Sequence, residues 1–285
     1  MFNMFLKKNV VFFSKMHGLG NDFVLIDSTQ HDFFFSPQLI KKWSNRYLGI
    51  GFDQFLVLQR SNCVQASFFY RIFNSNGLEV EQCGNGARCV AYYLFLKKKI
   101  SKKKICVRTK NRYLFLEHIR DNIFKIDMGE PVFTPKNIPF LCISEQLNYT
   151  IMIHGINYLI YVVTIGNPHC VIQVDDIKSI NVEKIGRALS VHSSFPEGVN
   201  VGFMQILSKK KILLRVYERH VGETYACGSG ACAAVSVGIL NKMLSNNVTV
   251  VLLHGKLTIS WNGLPGSSLY MSGEAVHVYD GVITH

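Results

Sequence analysis

The chain has 285 residues, 48% hydrophobic and 18% charged, with a formal net charge of +12. That length is comfortable for two domains, and the apolar content supplies a sizeable core and excludes a disordered chain. The positive excess lies in short runs (Lys7-Lys8, Lys97-Lys98-Lys99, Lys102-Lys103-Lys104, Lys209-Lys210-Lys211) without regular aromatic interleaving, so it reads as solvated surface, and no nucleic-acid partner is expected.

The first ten residues read as an extension. Their charges follow a short apolar piece and no small-residue cleavage site is present, so no signal peptide is expected. No apolar run reaches 18 residues, so no membrane partner is expected either. Val10 to Ser14 reads as a strand, His17 to Asp22 as a turn, and Phe23 to Asp27 as a second strand. Ser36 and Pro37 form a helix start, serine as N-cap and proline at the first helical position, leading through Leu39 to Tyr47. Gly49-Ile50-Gly51 stops that helix. Strands follow at Gln54 to Leu58 and Phe68 to Phe73, then a tight turn at Asn74-Ser75-Asn76-Gly77, then a buried helix from Gly84 to Leu96.

Short strands at Ile105 to Arg108, Tyr113 to Glu117 and Ile123 to Met128 form a meander. Gly129-Glu130-Pro131 and Pro135 to Pro139 read as a linker zone. The second half repeats the order: a strand at Tyr158 to Thr164, a loop through Ile165-Gly166-Asn167-Pro168-His169, a helix at Val182 to Ser190, and strands at Asn200 to Ile206 and Ile212 to Tyr217. A second apolar helix follows, and then short strands from Val248 to Tyr279. The expected fold is α+β, with two pseudo-symmetric domains, each mostly antiparallel strands wrapped around a central helix. The expected division gives residues 1–127 with 274–285 to one domain and 128–273 to the other.

The repeat is visible in the residues themselves. Arg71 to Ala87 and Arg215 to Ala231 align without a gap at an offset of 144, with Arg71/Arg215, Glu79/Glu223, Cys83/Cys227, Gly84/Gly228, Gly86/Gly230 and Ala87/Ala231 identical. Each copy ends in Cys-Gly-x-Gly-Ala opening a helix. A cysteine there lies beside unpaired backbone N–H groups and the positive end of the helix dipole, which favours thiolate. The glycine-turn N–H groups can bind a carboxylate. One cysteine per copy suits chemistry in which one thiol removes a proton from a carbon and another returns one to its opposite face.

Other readings of these cysteines fail or are plainer. The even count does not imply disulfides in a chain this long whose cysteines lie in apolar runs, and a reducing cytoplasm is expected. Cys83/Cys89 and Cys227/Cys232 lack the spacing of zinc ligand pairs, so no metal is expected. Gly228 to Ala233 fits a dinucleotide fingerprint formally, but no acidic residue lies between Glu223 and Glu274 to bind a ribose. Cys89, Cys106, Cys142, Cys170 and Cys232 read as small packing side chains, and Arg71 and Arg215 as members of structural ion pairs.

Longer strings carry a specific resemblance. Lys15-Met16-His17-Gly18-Leu19-Gly20-Asn21-Asp22-Phe23, Gly51-Phe52-Asp53-Gln54, Glu81-Gln82-Cys83-Gly84-Asn85-Gly86-Ala87-Arg88-Cys89, Gly166-Asn167-Pro168-His169-Cys170, Asn200-Val201-Gly202-Phe203 and Tyr217-Glu218-Arg219 through Cys227-Gly228-Ser229-Gly230 resemble the diaminopimelate epimerases. The likeness covers essentially everything after residue 13, including the ending Met271-Ser272-Gly273 to Gly281. His220 departs from it, standing where the family usually has a small residue.

The resemblance implies an epimerase that needs no cofactor, pyridoxal phosphate included, and interconverts LL- and meso-2,6-diaminopimelate on the route to lysine and peptidoglycan. It implies two half-domains facing each other across a cleft, with catalytic Cys83 and Cys227 exchanging the roles of thiolate base and thiol acid. It implies substrate binding by Asn21, Gln54, Asn74, Gly84, Asn85, Asn167, Asn200, Glu218, Arg219, Gly228 and Ser229, and tuning of the thiols by His169 and Glu218. It further implies a cytoplasmic homodimer with Tyr279 at its interface, although an ordinary buried tyrosine is an alternative there. Proline or hydroxyproline racemases share the paired cysteines, and the phenazine-pathway isomerases share the fold without them. Arg219 and the asparagine-rich set, suited to a second amino-acid head, disfavour the first; the two cysteines disfavour the second. A basic nucleic-acid-binding protein would need its lysines on one face.

Overall fold

The structure, a computed structural model, describes residues 10–31, 33–80, 84–100 and 103–284. The chain forms two compact units, Met1–Ile126 with Glu274–His285, and Asp127–Gly273. Both are strand-rich with a buried helix, the α+β architecture expected.

In the first unit β1 (Val10–Gly18) runs past the expected end at Ser14. It turns at Leu19 and Gly20 (φ +57° and +86°) into β2 (Asn21–Asp27). The expected turn shrinks to two residues because Gly18 and Asn21 already pair across the hairpin. Helix α1 (Pro37–Ser44) starts as read, with Ser36 Oγ accepting from the Leu39 N–H at 3.2 Å. It stops short of Tyr47 because Asn45 Oδ1 accepts from the N–H groups of Tyr47 and Leu48, offering the backbone a turn in place of another helical residue.

β3 (Gln54–Cys63), β4 (Ala66–Asn74), β5 (Glu79–Val80), α2 (Gly84–Leu96), β6 (Lys104–Arg108), β7 (Tyr113–Arg120) and β8 (Ile123–Gly129) follow. β2 lies parallel to β3. β4 is antiparallel to β3 and β5 and parallel to β6, and the remaining neighbours in this unit are antiparallel. Trp43, Phe55, Phe73, Val24, Ile26 and Ile40 form one core cluster.

The expected linker zone is not a linker. The division falls within β8, and Pro135–Asn137 is a short 3-10 turn whose neighbours Ile138 and Phe140 are buried in the second unit's core. Two large apolar side chains in so short a stretch are there to fill a core. The second unit then runs through β9 (Tyr149–Ile153), β10 (Ile156–Thr164), β11 (Pro168–Gln173), α3 (Val182–Ser190), β12 (Asn200–Ser208), β13 (Lys211–Glu218), β14 (Gly222–Thr224), α4 (Gly228–Leu240), β15 (Asn247–Leu252), β16 (Gly255–Ser260) and β17 (Leu269–Glu274). β18 (Val276–Thr284) returns to the first unit and pairs antiparallel with β1.

The pairing scheme is duplicated: β11 is parallel to β12, β12 antiparallel to β13, and β13 antiparallel to β14 and parallel to β15. Each unit closes around its second helix. α2 packs on β1, β2, β3, β7 and β18; α4 packs on β10 to β13, β15 and β16. Both are buried nearly all round, as their apolar sequences require. Matching bidentate ion pairs, Arg71–Glu79 and Arg215–Glu223, tie β4 to β5 and β13 to β14, the structural role expected for the two arginines.

Cys89, Cys170 and Cys232 pack as small apolar side chains. Cys142, expected to do the same, is exposed, because it lies in irregular chain beyond the core residue Phe140.

Helix α3 approaches β13 through Gly186. A Cβ there would lie 2.5 Å from Tyr217 Cβ and 2.6 Å from its Cγ. Gly186→Ala is therefore expected to destabilise the protein by about 1–3 kcal/mol through overpacking, read as a lower urea midpoint; an unchanged midpoint would contradict this close packing.

Candidate active site

The sheet topology of each unit collects polar residues at one end. In the first unit, β2 and β3 start where β4 ends, and the register pairs Phe23 with Gln54 and Gln54 with Asn74. Asn21, Gln54 and Asn74 thus share one edge, as strand ends; Asn21 and Asn74 were expected in turns. Helix α2 opens there, and Asn85 in its first turn is buried and donates from Nδ2 to Asn21 Oδ1 at 3.3 Å. Gln54 Nε2 donates to Asn74 Oδ1 at 2.9 Å, and Gln54 Oε1 is buried with no hydrogen-bond partner among the described residues. Gly84 is the first residue of α2; Cys83 lies outside the described residues.

The second unit builds the same edge with other side chains. The starts of β11 and β12 and the end of β13 bring together His169, Asn200, Glu218 and Arg219, and the loop before β11 adds Asn167. Asn200 is buried. Its Nδ2 donates to the Pro168 carbonyl at 3.2 Å and its Oδ1 accepts from the Arg219 N–H at 3.0 Å, so it ties β11 to the Arg219 turn. Arg219 Nη1 donates to the Glu197 carbonyl. His220, the departure from the family pattern, follows in left-handed backbone at φ +64°.

Cys227 is the N-cap of α4, and its Sγ accepts from the Gly230 N–H at 3.4 Å. The fit around Gly230 is close: a Cβ there would lie 3.3 Å from that sulfur and 3.1 Å from Val216 Cγ2. A run of polar contacts leads away from the thiol. Ser229 Oγ lies 3.6 Å from Sγ, Asn167 Nδ2 donates to Ser229 Oγ at 3.4 Å, and Asn167 Oδ1 lies 3.1 Å from His169 Nε2.

At Cys227 the helix end, which favours thiolate, is opposed by the surroundings of the sulfur. Burial raises the Cys227 pKa well above its usual value and the nearby Glu218 carboxylate raises it further, while hydrogen bonds from Ser229 and Gly230 lower it without reversing the shift. The helix N-terminus loses because the sulfur of a residue only 5% exposed has lost most of its hydration. The balance favours the thiol form of Cys227. Complete burial and the charge of Arg219 lower His169 to about 3, so it is neutral, and its Nε2–H donates to the Asn167 amide oxygen. Thr224 Oγ1 donates to Glu218 Oε1 at 2.6 Å and holds that carboxylate in place.

Tyr279 stands outside both clusters. It lies on β18, packs edge-on against Phe13, and is 44% exposed, which removes the buried-tyrosine alternative. Several supporting residues escaped the sequence reading: Asp22, Arg46, Asp53, Arg88 and Thr224. Asp22, Asp53, Arg88 and Thr224 lie within or beside the motif strings, so proximity to a motif was their signal; nothing in sequence marked Arg46. Among the described residues no three His, Cys, Asp or Glu side chains gather as a metal site would require, and no helix is long and apolar enough to cross a membrane.

A buried thiol at a helix N-terminus, with a carboxylate beside it, is equipment for proton transfer, and the fold is one shared by epimerases and isomerases. Solved structures similar to this chain include a hydroxyproline epimerase from Agrobacterium vitis (TM-score 0.72, 11% identity, 98% of this chain and 93% of that one) and a phenazine biosynthesis protein of the PhzF family from Bacillus anthracis (TM-score 0.68, 13% identity, 97% and 99%). At those identities the likeness shows the fold alone.

Sequence similarity is closer. The family model described as diaminopimelate epimerase matches residues 13–134 and 161–278. The chain is 52% identical over 276 residues to the diaminopimelate epimerase of Buchnera aphidicola subsp. Acyrthosiphon pisum (strain APS), covering 97% of each protein. This chain belongs to the diaminopimelate epimerase family.

Glu218→Gln removes the charge that helps keep Cys227 protonated. Alkylation of Cys227 by iodoacetamide, followed by peptide mass spectrometry, is expected to set in at lower pH in the variant, because removing a nearby anion favours thiolate. A profile unchanged or shifted upward would contradict the role assigned to Glu218.

Proposed function

We propose that this chain interconverts LL- and meso-diaminopimelate without a cofactor, using Cys83 and Cys227 as a thiol pair. The observation that carries the reading is Cys227, buried at the N-cap of α4 beside Glu218 in the second copy of the duplicated motif. In the direction in which Cys227 is the acid, the Cys83 thiolate takes the α-proton, and the C–H electron pair remains as a carbanion delocalised into the carboxylate. Cys227 S–H then delivers its proton to the opposite face. One turnover leaves Cys83 as the thiol and Cys227 as the thiolate, the pair the reverse reaction uses, and proton exchange with water restores the starting pair.

An amino-acid α-carbon is a weak acid, so the site must stabilise charge that grows on the carboxylate as the proton leaves. The N–H groups of Gly84 and Asn85 in α2, and of Gly228 and Ser229 in α4, belong to the first turns of their helices, where backbone donors lack helical partners. The remaining assigned residues serve the distal amino-acid head. Arg219 suits a carboxylate, and Gln54 Oε1, Asn74 and Asn167 supply amide groups. Neutral His169 holds the Asn167 amide and so the polar run to Cys227. The homodimer, with Tyr279 at its interface, and the cytoplasmic location rest on the family resemblance and belong to the same proposal.

Incubation with LL-diaminopimelate in heavy water, with no added cofactor, is expected to yield meso product carrying deuterium at the epimerised carbon. Absence of both sinks the assignment. Cys83→Ala and Cys227→Ala are each expected to lower kcat by at least about a thousandfold, the scale of losing an essential acid or base; near-native turnover by either variant would refute the two-thiol scheme.

A further inference from the structure

Beside the assigned ligands in the first unit runs a chain of side-chain hydrogen bonds with charged ends. Asn21 Nδ2 donates to Asp53 Oδ2 at 3.1 Å, Asn85 Nδ2 donates to Asn21 Oδ1 at 3.3 Å, and Arg88 Nη2 donates to Asn85 Oδ1 at 2.8 Å. The two ends are chemically opposite. An ionised carboxylate only accepts hydrogen bonds, and a guanidinium only donates them. Every bond in the chain therefore points one way, and neither amide can turn over by itself. Turned over, Asn21 would set its oxygen against the Asp53 carboxylate, and Asn85 would set its NH2 group against the Arg88 guanidinium.

The ends are themselves braced. Asp53 Oδ1 accepts from Arg46 Nη2 at 2.8 Å and Oδ2 accepts from the Asp22 N–H at 3.1 Å. Asp22 returns the contact, Oδ1 accepting from the Asp53 N–H at 2.9 Å. Burial opposes ionisation of Asp22, but hydrogen bonds from Arg46 and Lys15 outweigh it and hold its carboxyl below the usual carboxylate range. Arg88 is wholly buried, with Nε donating to the Glu274 carbonyl at 3.1 Å. A guanidinium buried this completely needs fixed acceptors around it.

We infer that Asp53 and Arg88 are positioning residues for the epimerase site, fixing which way the Asn21 and Asn85 amides face. Both amide oxygens accept hydrogen bonds within the chain. The two asparagines are thereby set as donors toward an oxygen acceptor such as an amino-acid carboxylate. Without the charged ends, each amide could present oxygen or nitrogen, and half of its orientations would repel that acceptor. The inference rests on the reading of these asparagines as substrate ligands.

The test uses Asp53→Asn, Asn21→Ala and the double variant in the full-length chain. Asp53→Asn keeps shape and can still accept from Arg46, but its new N–H groups compete for the Asn21 oxygen. It is expected to raise KM for diaminopimelate about tenfold, the effect of one lost hydrogen bond, with a smaller change in kcat. In the Asn21→Ala background the same substitution is expected to change KM less than about twofold, because a residue acting through another has nothing left to act on. An equal rise in both backgrounds, with a matching loss of Tm, would show a merely structural carboxylate and overturn the inference. A second arm needs no activity: the side-chain NH2 resonances of Asn21 and Asn85 in 15N-labelled protein are expected to shift in Asp53→Asn, and unshifted resonances overturn it. Failure of the unsubstituted chain to turn over diaminopimelate would instead refute the proposed function, while this NMR arm still reads the amide orientation.

Discussion

A helix buried on every side still has an N-terminus whose first N–H groups lack partners within the helix. In each half of this protein that end is where polar chemistry enters an otherwise apolar core. Strands enclose α4 from Gly230 to Ile239, and the sulfur of Cys227 takes one of its unpaired donors. The parallel pairing of β11 with β12, followed by the antiparallel return of β13, brings three strand ends to the same place. Helix end and sheet edge therefore coincide, and the side chains of Asn200, Glu218 and Cys227 converge from segments far apart in sequence.

That convergence sets up a contest over the proton on Cys227. A helix N-terminus favours the thiolate, as do the hydrogen bonds from Gly230 and Ser229. Burial and a neighbouring carboxylate favour the thiol, and they win. The same low-polarity setting keeps His169 neutral, with Arg219 adding to the effect. A neutral donor beside a held carboxylate is what a proton-returning residue requires.

The two halves use one backbone plan and different side chains. Asn74 at the end of β4 corresponds to Glu218 at the end of β13, and Asn85 in α2 corresponds to Ser229 in α4, both at the offset of 144 that relates the cysteine motifs. In the first half amides bond to one another between charged ends, Asp53 and Arg88. In the second, a carboxylate lies next to the thiol. Duplication preserved the backbone positions, and divergence changed the side chains they carry.

The duplicated strand–turn–helix, the family, the helix starts at Ser36 and Gly228 and the α+β architecture were legible in sequence, because each depends on local spacing or on a string of neighbouring residues. Helix and strand ends were less so: Asn45 ends α1 with its own side chain, and Pro135 to Pro139 reads as a linker although Ile138 within it and Phe140 beside it fill the core. Which form of Cys227 the fold favours was not legible, because the helix dipole is local, whereas burial is the work of distant strands. The same reason hid Arg46 and the bracing of Asp22 and Asp53. Sequence by itself determined the family and the duplicated cysteine motif; tertiary structure alone decided the balance that favours the thiol at Cys227 and the direction of each amide, since both depend on groups brought together through space.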